Sequence, residues 1–178
     1  MSEIKISKRY ARALFEFATE QNKVEEVKAD MEYVDQLCNV STDFVKLLKS
    51  PVIKVSKKVE IIKAVFEGKL SEMSMQYLEI IAKSRRETFI PAIAEQFIAS
   101  YNESIGLKIV DFESAYDMDD KLKDQIIKIL SEQTGKQIRL NEKINENLIG
   151  GFIVNMDNRQ YDASIRARLT KLKAEFAQ

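Results

Sequence analysis

Apolar residues recur at helical spacing from the start of the chain. The first predicted helix, from about Ser7 to Glu20, carries two neighbouring apolar stripes. They comprise Tyr10, Leu14 and Phe17 on one side and Ala11, Phe15 and Ala18 on the other. An apolar face this wide can serve two surfaces, a core and a shallow groove for another helix. Alternatively, the helix is central and buried on both sides.

The same spacing predicts five further helices before Gly106. They cover about residues 24–38, 42–48, 56–66 and 71–84, and a last stretch that begins near Pro91. Local residues support these helix boundaries. The residue before a proline disfavours helical geometry, glycine is common at helix C-termini, and proline is tolerated in the first turn of a helix. Cys38 falls in the apolar repeat of the second helix and is predicted to be a core residue. Six helices with short connections predict an all-α bundle.

The period changes after Gly106. A β-branched and aromatic run over 107–116 predicts a strand, and a helix over about 119–133 follows, with Leu122, Ile126, Ile129 and Leu130 on its apolar side. A second strand is predicted around 138–140, then a hairpin of 152–155 and 159–161 that turns at Asp157-Asn158. A final helix is capped by Asp162 or Ser164. The predicted fold is therefore mainly α, with a six-helix bundle over 1–105 and a small α/β domain over 106–178.

Composition removes several classes of function. The 178 residues carry 28 basic and 28 acidic side chains and no histidine. Balanced charge disfavours general attraction to nucleic acid or anionic lipid, and the lack of histidine excludes His-centred triads and most catalytic zinc sites. No run approaches the ~20 apolar residues of a membrane span, and the N-terminus shows no signal or transit peptide. These features predict a bacterial cytoplasmic location and no cofactor or metal.

Two short motifs each have two interpretations, and a third has one. Gly150-Gly151 before Phe152 marks either backbone approach to a ligand or a tight, close-packed turn, and the second is favoured. Basic residues of the last helix, such as Arg166 and Arg168, either contact phosphates or acidic protein, or complement the helix dipole. Arg85-Arg86 is interpreted as a solvated loop.

Two separated segments resemble one known family. The opening Arg9-Tyr10-Ala11-Arg12-Ala13-Leu14-Phe15, and the closing Gly150-Gly151-Phe152, Ser164-Ile165-Arg166 and Arg168-Leu169, resemble the delta subunit of F-type ATP synthases. This family includes the mitochondrial oligomycin-sensitivity-conferring protein. The likeness extends over almost the whole chain. The chain departs from the family at Ala163 and Ala167, where glycines often stand.

The resemblance implies two partners. In the family, a six-helix N-terminal bundle binds the N-terminal helix of an alpha subunit, at the top of the catalytic head, between the first and fifth helices. By position, the groove candidates here are Tyr10, Ala11, Leu14, Ala18, Tyr77, Leu78 and Ile81. The smaller C-terminal part engages the b subunits of the peripheral stalk, for which the candidates are Phe152, Ile165, Arg166, Arg168 and Leu169.

The function implied is mechanical and not catalytic. A single copy of the subunit would clamp the head to the stalk, so that rotor torque is resisted and proton flow stays coupled to ATP synthesis. It would lie at the cytoplasmic face of the bacterial inner membrane, held there by the complex and without a span or a nucleic-acid partner. Two alternatives stay open at this point. A helical nucleic-acid-binding regulator would use the basic last helix and bind with steep salt dependence, and a small enzyme would show turnover without partners.

Overall fold

The structure, a computed structural model, describes residues 3–116, 119–156 and 159–176. These residues are mainly α-helical and carry one four-stranded sheet, which confirms the predicted mixture. The helices are α1 (Glu3–Glu20), α2 (Val24–Val40), α3 (Thr42–Lys49), α4 (Val55–Phe66), α5 (Glu72–Lys83), α6 (Ile90–Ser104), α7 (Asp120–Thr134) and α8 (Ile165–Phe176), with a short 3-10 helix at Glu87–Phe89. The strands are β1 (Leu107–Ser114), β2 (Gln137–Ile144), β3 (Phe152–Met156) and β4 (Arg159–Asp162). The predicted turn at Asp157-Asn158 lies outside the described residues.

The chain divides into two compact units, Met1–Tyr101 and Asn102–Gln178. In the first unit, apolar residues of all six helices form one core. Rings pack edge to face within it, with the centroids of Phe44 and Phe66 5.7 Å apart. Cys38 is buried there, as predicted. The periodic apolar positions of the sequence therefore form the core of this unit, because each helix buries an apolar stripe against the others.

Buried polar groups also connect distant helices of the first unit. The Asp30 carboxylate on α2 accepts hydrogen bonds from the backbone N–H of Ser71, at 3.1 Å, and from its hydroxyl, at 2.5 Å. Ser71 is in turn the N-cap of α5, since its hydroxyl oxygen accepts from the N–H of Ser74. Asp30 thus fixes the start of α5 against α2.

The second unit is built on a sheet with the strand order β2-β1-β3-β4. Strands β1 and β2 are parallel and α7 connects them, whereas β3 pairs antiparallel with both β1 and β4. Alternate residues of β1, Val110 and Phe112, are buried together with Leu130 of α7 and Val154 of β3. The period of two in the sequence therefore produces a sheet with a core on its α7 side.

Candidate functional site

A groove of about 550 Å³ lies between α1 and α5. Its walls are the outward flanks of these two helices and the start of the loop after α1. The lining residues are Ala13, Leu14, Phe17, Gln21, Lys23, Glu72, Met73, Gln76, Tyr77 and Ile80. Ala13 and Phe17 lie four residues apart on α1, which places them on one face, and Gln21 follows in the turn after the helix.

Two large apolar side chains of the groove remain accessible to solvent. Phe17 is 50% exposed and Ile80 is 60% exposed, although other apolar residues of the same helices, such as Leu14 and Ile81, are buried. Exposed apolar residues that face each other across a concave surface are typical of a site for another helix.

One hydrogen bond joins the two walls of the groove. The Tyr77 hydroxyl on α5 donates to the backbone carbonyl oxygen of Tyr10 on α1, at 3.0 Å. Burial raises the pKa of the Tyr77 phenol well above its usual value, so the side chain stays a neutral donor throughout the physiological range. The bond therefore holds the two helices at a fixed separation next to the groove.

The ring of Tyr10 is flanked by two guanidinium groups. The Arg9 and Arg86 Cζ atoms lie 5.5 Å and 5.2 Å from its centroid, within the range of cation–π contacts. The interpretation of Arg86 as part of a solvated loop was therefore wrong, because this side chain is half-buried against α1. Its neighbour Arg85 is exposed, as that interpretation expected.

The structure separates the seven predicted groove residues into two groups. Leu14 and Tyr77 line the groove, and Tyr10 is linked to it by the bond to Tyr77. The other four, Ala11, Ala18, Leu78 and Ile81, lie in the core and are at most 1% exposed. In this conformation they cannot touch a docked helix, so their assignment to the groove is corrected. They support its floor from behind.

Several lining residues were absent from the sequence-based set. Phe17 stood in the predicted first stripe but was not assigned to the groove, and Ala13, Met73, Gln76 and Ile80 were missed. The spacing of Met73, Gln76, Tyr77 and Ile80 by three and four residues was the available signal. It could have been used only with knowledge of which flank of α5 faces outward.

The second unit presents a smaller apolar cavity of about 210 Å³. It is lined by Ile126, Ile129, Leu130, Gln133, Phe152, Val154 and Tyr161. Phe152, a predicted stalk contact, lines this cavity and stacks on Phe112, with ring centroids 5.4 Å apart. The predicted apolar side of α7 is only partly covered, since Ile129 is 53% exposed.

The other four predicted stalk contacts lie on α8. Ile165 and Leu169 are 44% and 49% exposed, and Arg166 and Arg168 are also exposed. Arg166 donates a hydrogen bond to the backbone carbonyl of Asn147, at 3.3 Å. The Ser164 hydroxyl accepts from the N–H of Ala167 and caps the helix, so one of the two predicted capping residues is confirmed. Helix α8 thus exposes both apolar and basic side chains.

Gly150 and Gly151 have the structural role favoured by the sequence. A Cβ atom at Gly151 would stand 2.4 Å from the carbonyl oxygen of Ala163, and one at Gly150 would stand 2.6 Å from the Ile165 side chain. Two backbone hydrogen bonds close the contact: the N–H of Ala163 donates to Phe152 and that of Ile165 to Gly150. The glycine pair packs the β3 entrance against the start of α8.

The described residues give little support to a metal site, a nucleophilic cysteine or a membrane-spanning helix. In the ranges that the structure describes, no group of three or more His, Cys, Asp or Glu side chains is arranged to hold a metal ion. Burial, with a smaller effect of the Asp35 charge, raises the pKa of Cys38 to about 11, which leaves this thiol protonated and a poor nucleophile. Among the same residues, none of the helices has the length and apolar character needed to cross a bilayer.

Comparison with known proteins gives concordant matches. The family model described as ATP synthase delta (OSCP) subunit matches residues 6–176. ATP synthase subunit delta of Cytophaga hutchinsonii is 31% identical over 178 residues, covering 100% of this chain and 97% of the relative. The subunit of the same name from Chlorobaculum tepidum is 34% identical over 173 residues, covering 97% and 96%. A chain in the cryo-EM structure of the Toxoplasma gondii mitochondrial ATP synthase hexamer shares the fold, with a TM-score of 0.73, 21% identity and 97% coverage of both chains.

Proposed function

The chain belongs to the ATP synthase delta (OSCP) subunit family, and on that basis we propose that it is the non-catalytic stator subunit that clamps the catalytic head of an F-type ATP synthase to its peripheral stalk. In this role it resists rotor torque and keeps proton flow coupled to ATP synthesis. One copy serves each complex, at the cytoplasmic face of the bacterial inner membrane. The clamp itself performs no chemistry.

The groove between α1 and α5 is the observation that carries the proposal. Its occupant is the N-terminal helix of an alpha subunit, and residues 1–105 act as the six-helix bundle that holds it. Phe17 and Ile80 are the anchors, because they are apolar, face the groove and stay half-exposed without a partner. The bond between Tyr77 and Tyr10 fixes the groove before the helix arrives, which reduces the ordering cost of binding.

The expected strength of one anchor follows from its exposed area. About half of the roughly 200 Å² of a phenylalanine side chain is left to bury at Phe17, which at ~25 cal/mol/Å² contributes about 2.5 kcal/mol. A stator contact of nanomolar affinity needs about 12 kcal/mol in all. A few such anchors, with the partly exposed Met73 beside them, supply a large part of it.

Residues 106–178 are proposed to bind the b subunits of the stalk. The exposed apolar side chains of α8, Ile165 and Leu169, and the apolar cavity that contains Phe152 support this assignment. Arg166 and Arg168 would meet acidic residues at the edge of the contact. A surface of this kind favours a helical partner with an apolar stripe bordered by carboxylates.

The test is a calorimetric titration of the full chain with a peptide of the alpha subunit's N-terminal helix from the same organism. We expect one-to-one binding that Phe17→Ala weakens about 60-fold, as 2.5 kcal/mol implies. Val40→Ala is the matched control, because Val40 is an apolar residue that is 81% exposed and lies outside the groove. Absence of binding by the folded chain, or equal losses in the two variants, would contradict the groove assignment.

A further inference from the structure

A second cavity of the first unit, of about 400 Å³, lies at the N-terminus of α4. It shares no lining residue with the groove between α1 and α5. The lining residues are Ser50, Pro51, Ile53, Lys54, Val55, Lys58, Arg85 and Glu87. Three cationic side chains and one carboxylate therefore meet around a single space, and the stator role uses none of them.

The helix end at this cavity is suited to an anion. Lys54 is the N-cap of α4, no side chain in the described ranges caps that end, and the first turn holds no acidic residue. The N–H groups of a first helical turn lack partners within the helix, and the helix dipole adds positive potential there. Lys54 and Arg85, both exposed, add two positive charges.

The carboxylate sets a second requirement. Glu87 is 5% exposed, and its Oε1 atom accepts from the Lys58 ammonium at 2.6 Å. That ammonium also donates to the backbone carbonyl of Leu48, at 2.7 Å. The other carboxylate oxygen, Oε2, is buried and has no hydrogen-bond partner among the described residues. A buried acceptor of this kind calls for a donor, and the described residues supply none.

We propose that this cavity binds a phosphate group that retains a proton, either inorganic phosphate or a phosphate monoester. Its anionic oxygens face Lys54, Arg85 and the N–H groups at the start of α4. Its P–OH group donates to Glu87 Oε2. Because Lys58 and Glu87 neutralise each other, the lining keeps a positive charge for the anion while the carboxylate selects for a ligand with a proton. Sulfate, which carries no proton at neutral pH, satisfies the cations and leaves the carboxylate unpaired.

The first experiment is a ³¹P NMR titration of inorganic phosphate with the full chain in phosphate-free buffer, with sulfate as competitor. We expect saturable binding, with sulfate at least about tenfold weaker. Lys54→Gln should weaken phosphate binding about tenfold through loss of a charge-assisted contact. Lys57→Gln is the matched control, since Lys57 is exposed, pairs with Glu60 and does not line the cavity.

A second variant tests the role of the carboxylate. Glu87→Gln replaces an acceptor by an amide that can donate, so the preference for phosphate over sulfate should shrink or reverse. Circular dichroism checks the fold of this variant, and if it does not fold, the comparison of Lys54→Gln with Lys57→Gln decides. The proposal is overturned if phosphate does not bind at millimolar concentration, if sulfate binds equally well, or if both lysine variants lose affinity to the same extent.

The source of the phosphate is distinguished with vesicles. Phosphatidate exposes a monoester that can carry a proton, whereas phosphatidylglycerol is a diester that carries none. Sedimentation of the full chain with phosphatidate vesicles alone, abolished by Lys54→Gln, would assign the cavity to a lipid headgroup. Binding of free phosphate without sedimentation would assign it to a soluble phosphate. Equal sedimentation with both lipids would show attraction to any anionic surface and would contradict the proposal.

Discussion

Replacement of Gly151 by alanine should destabilise the second unit more than the same replacement at Gly135 or Gly150. Gly151 has φ +81°, a region that side chains rarely adopt, and its Cβ position stands 2.4 Å from the carbonyl oxygen of Ala163 and 2.9 Å from Ser164 Cα. Both neighbours are backbone atoms, so no side-chain rotation can relieve the contact. The β3 entrance and the start of α8 would have to separate.

The magnitude follows from two contributions. The left-handed conformation costs an alanine about 1 kcal/mol relative to glycine. Separation also removes the hydrogen bonds from Ala163 N–H to Phe152 and from Ile165 N–H to Gly150, at 2.9 Å and 3.0 Å, each of which contributes about 1 kcal/mol. We therefore expect Gly151→Ala to lower the free energy of unfolding of the second unit by about 3 kcal/mol or more.

Two other glycines of the same unit separate these contributions. Gly135, the C-cap of α7, has φ +66° and no atom within 4 Å of its Cβ position, so Gly135→Ala should cost only the backbone term of about 1 kcal/mol. The Cβ position of Gly150 lies 2.6 Å from Ile165 Cδ1, the end of a flexible side chain that is 44% exposed. Gly150→Ala should therefore be close to neutral, because Ile165 can rotate away.

Hydrogen exchange read by mass spectrometry suits this series, because the two units need not unfold together and exchange reports each separately. Peptides from β3 and α8 should exchange at least about 100-fold faster in Gly151→Ala, about fivefold faster in Gly135→Ala and within about twofold of wild type in Gly150→Ala. Peptides of the first unit should not change. If Gly151→Ala and Gly135→Ala accelerate exchange equally, the close approach of the β3 entrance to the start of α8 is contradicted.

Three further predictions concern the first unit. Arg85 is held at φ +58°, so Arg85→Gly should raise the free energy of unfolding by about 0.5–1 kcal/mol in urea denaturation, and a decrease would show that the side chain stabilises the fold. Asp30→Ala should lower it by about 2–3 kcal/mol, because the part-buried hydroxyl and N–H of Ser71 lose an ionised acceptor; Ser71→Ala in the same background should then cost only the loss of the α5 cap, about 1 kcal/mol. The pKa of Cys38 is raised from 9.0 to about 11 by burial and by the Asp35 charge. The contribution of the protonated thiol to the free energy of unfolding is therefore fully present below pH 9 and is lost as the pH rises toward 11. A Cys38→Ala variant should lose less stability than wild type across that interval, and an identical pH profile would contradict the buried thiol.

The periodicity of the chain was sufficient to place the helices and strands. In α2, for example, Val27, Met31, Val34 and Cys38 repeat at intervals of three and four residues, and all four are buried. The switch after Gly106 to alternating residues predicted β1, where Val110 and Phe112 are buried. These signals are local, and they work because a helix or a strand repeats its buried face at a fixed interval.

Polar residues in the core were not predicted, because their partners are distant in the sequence. Lys58 pairs with Glu87 across 29 positions, and Asp30 accepts from Ser71 across 41. Charges at such positions resemble those of a solvated helix face, and nothing local distinguishes a lysine that will be buried. The pairing depends on how α4 and the 3-10 helix at Glu87–Phe89 meet, which is a property of the tertiary fold.

The division of α1 residues between core and groove also depends on the tertiary fold and could not be predicted from the sequence. The two predicted stripes of α1 are both apolar, yet Ala11 and Ala18 are buried while Phe17, in the other stripe, is half-exposed. Leu14, in the same stripe as Phe17, is buried and also reaches the groove wall. The boundary between core and groove therefore runs through one stripe and not between the two. It is set by where α5 lies against α1, and the Tyr77 hydroxyl bonded to the Tyr10 carbonyl marks that position. A change that moves this contact, such as Tyr77→Phe, should alter affinity for the docked helix while leaving the core residues of α1 buried.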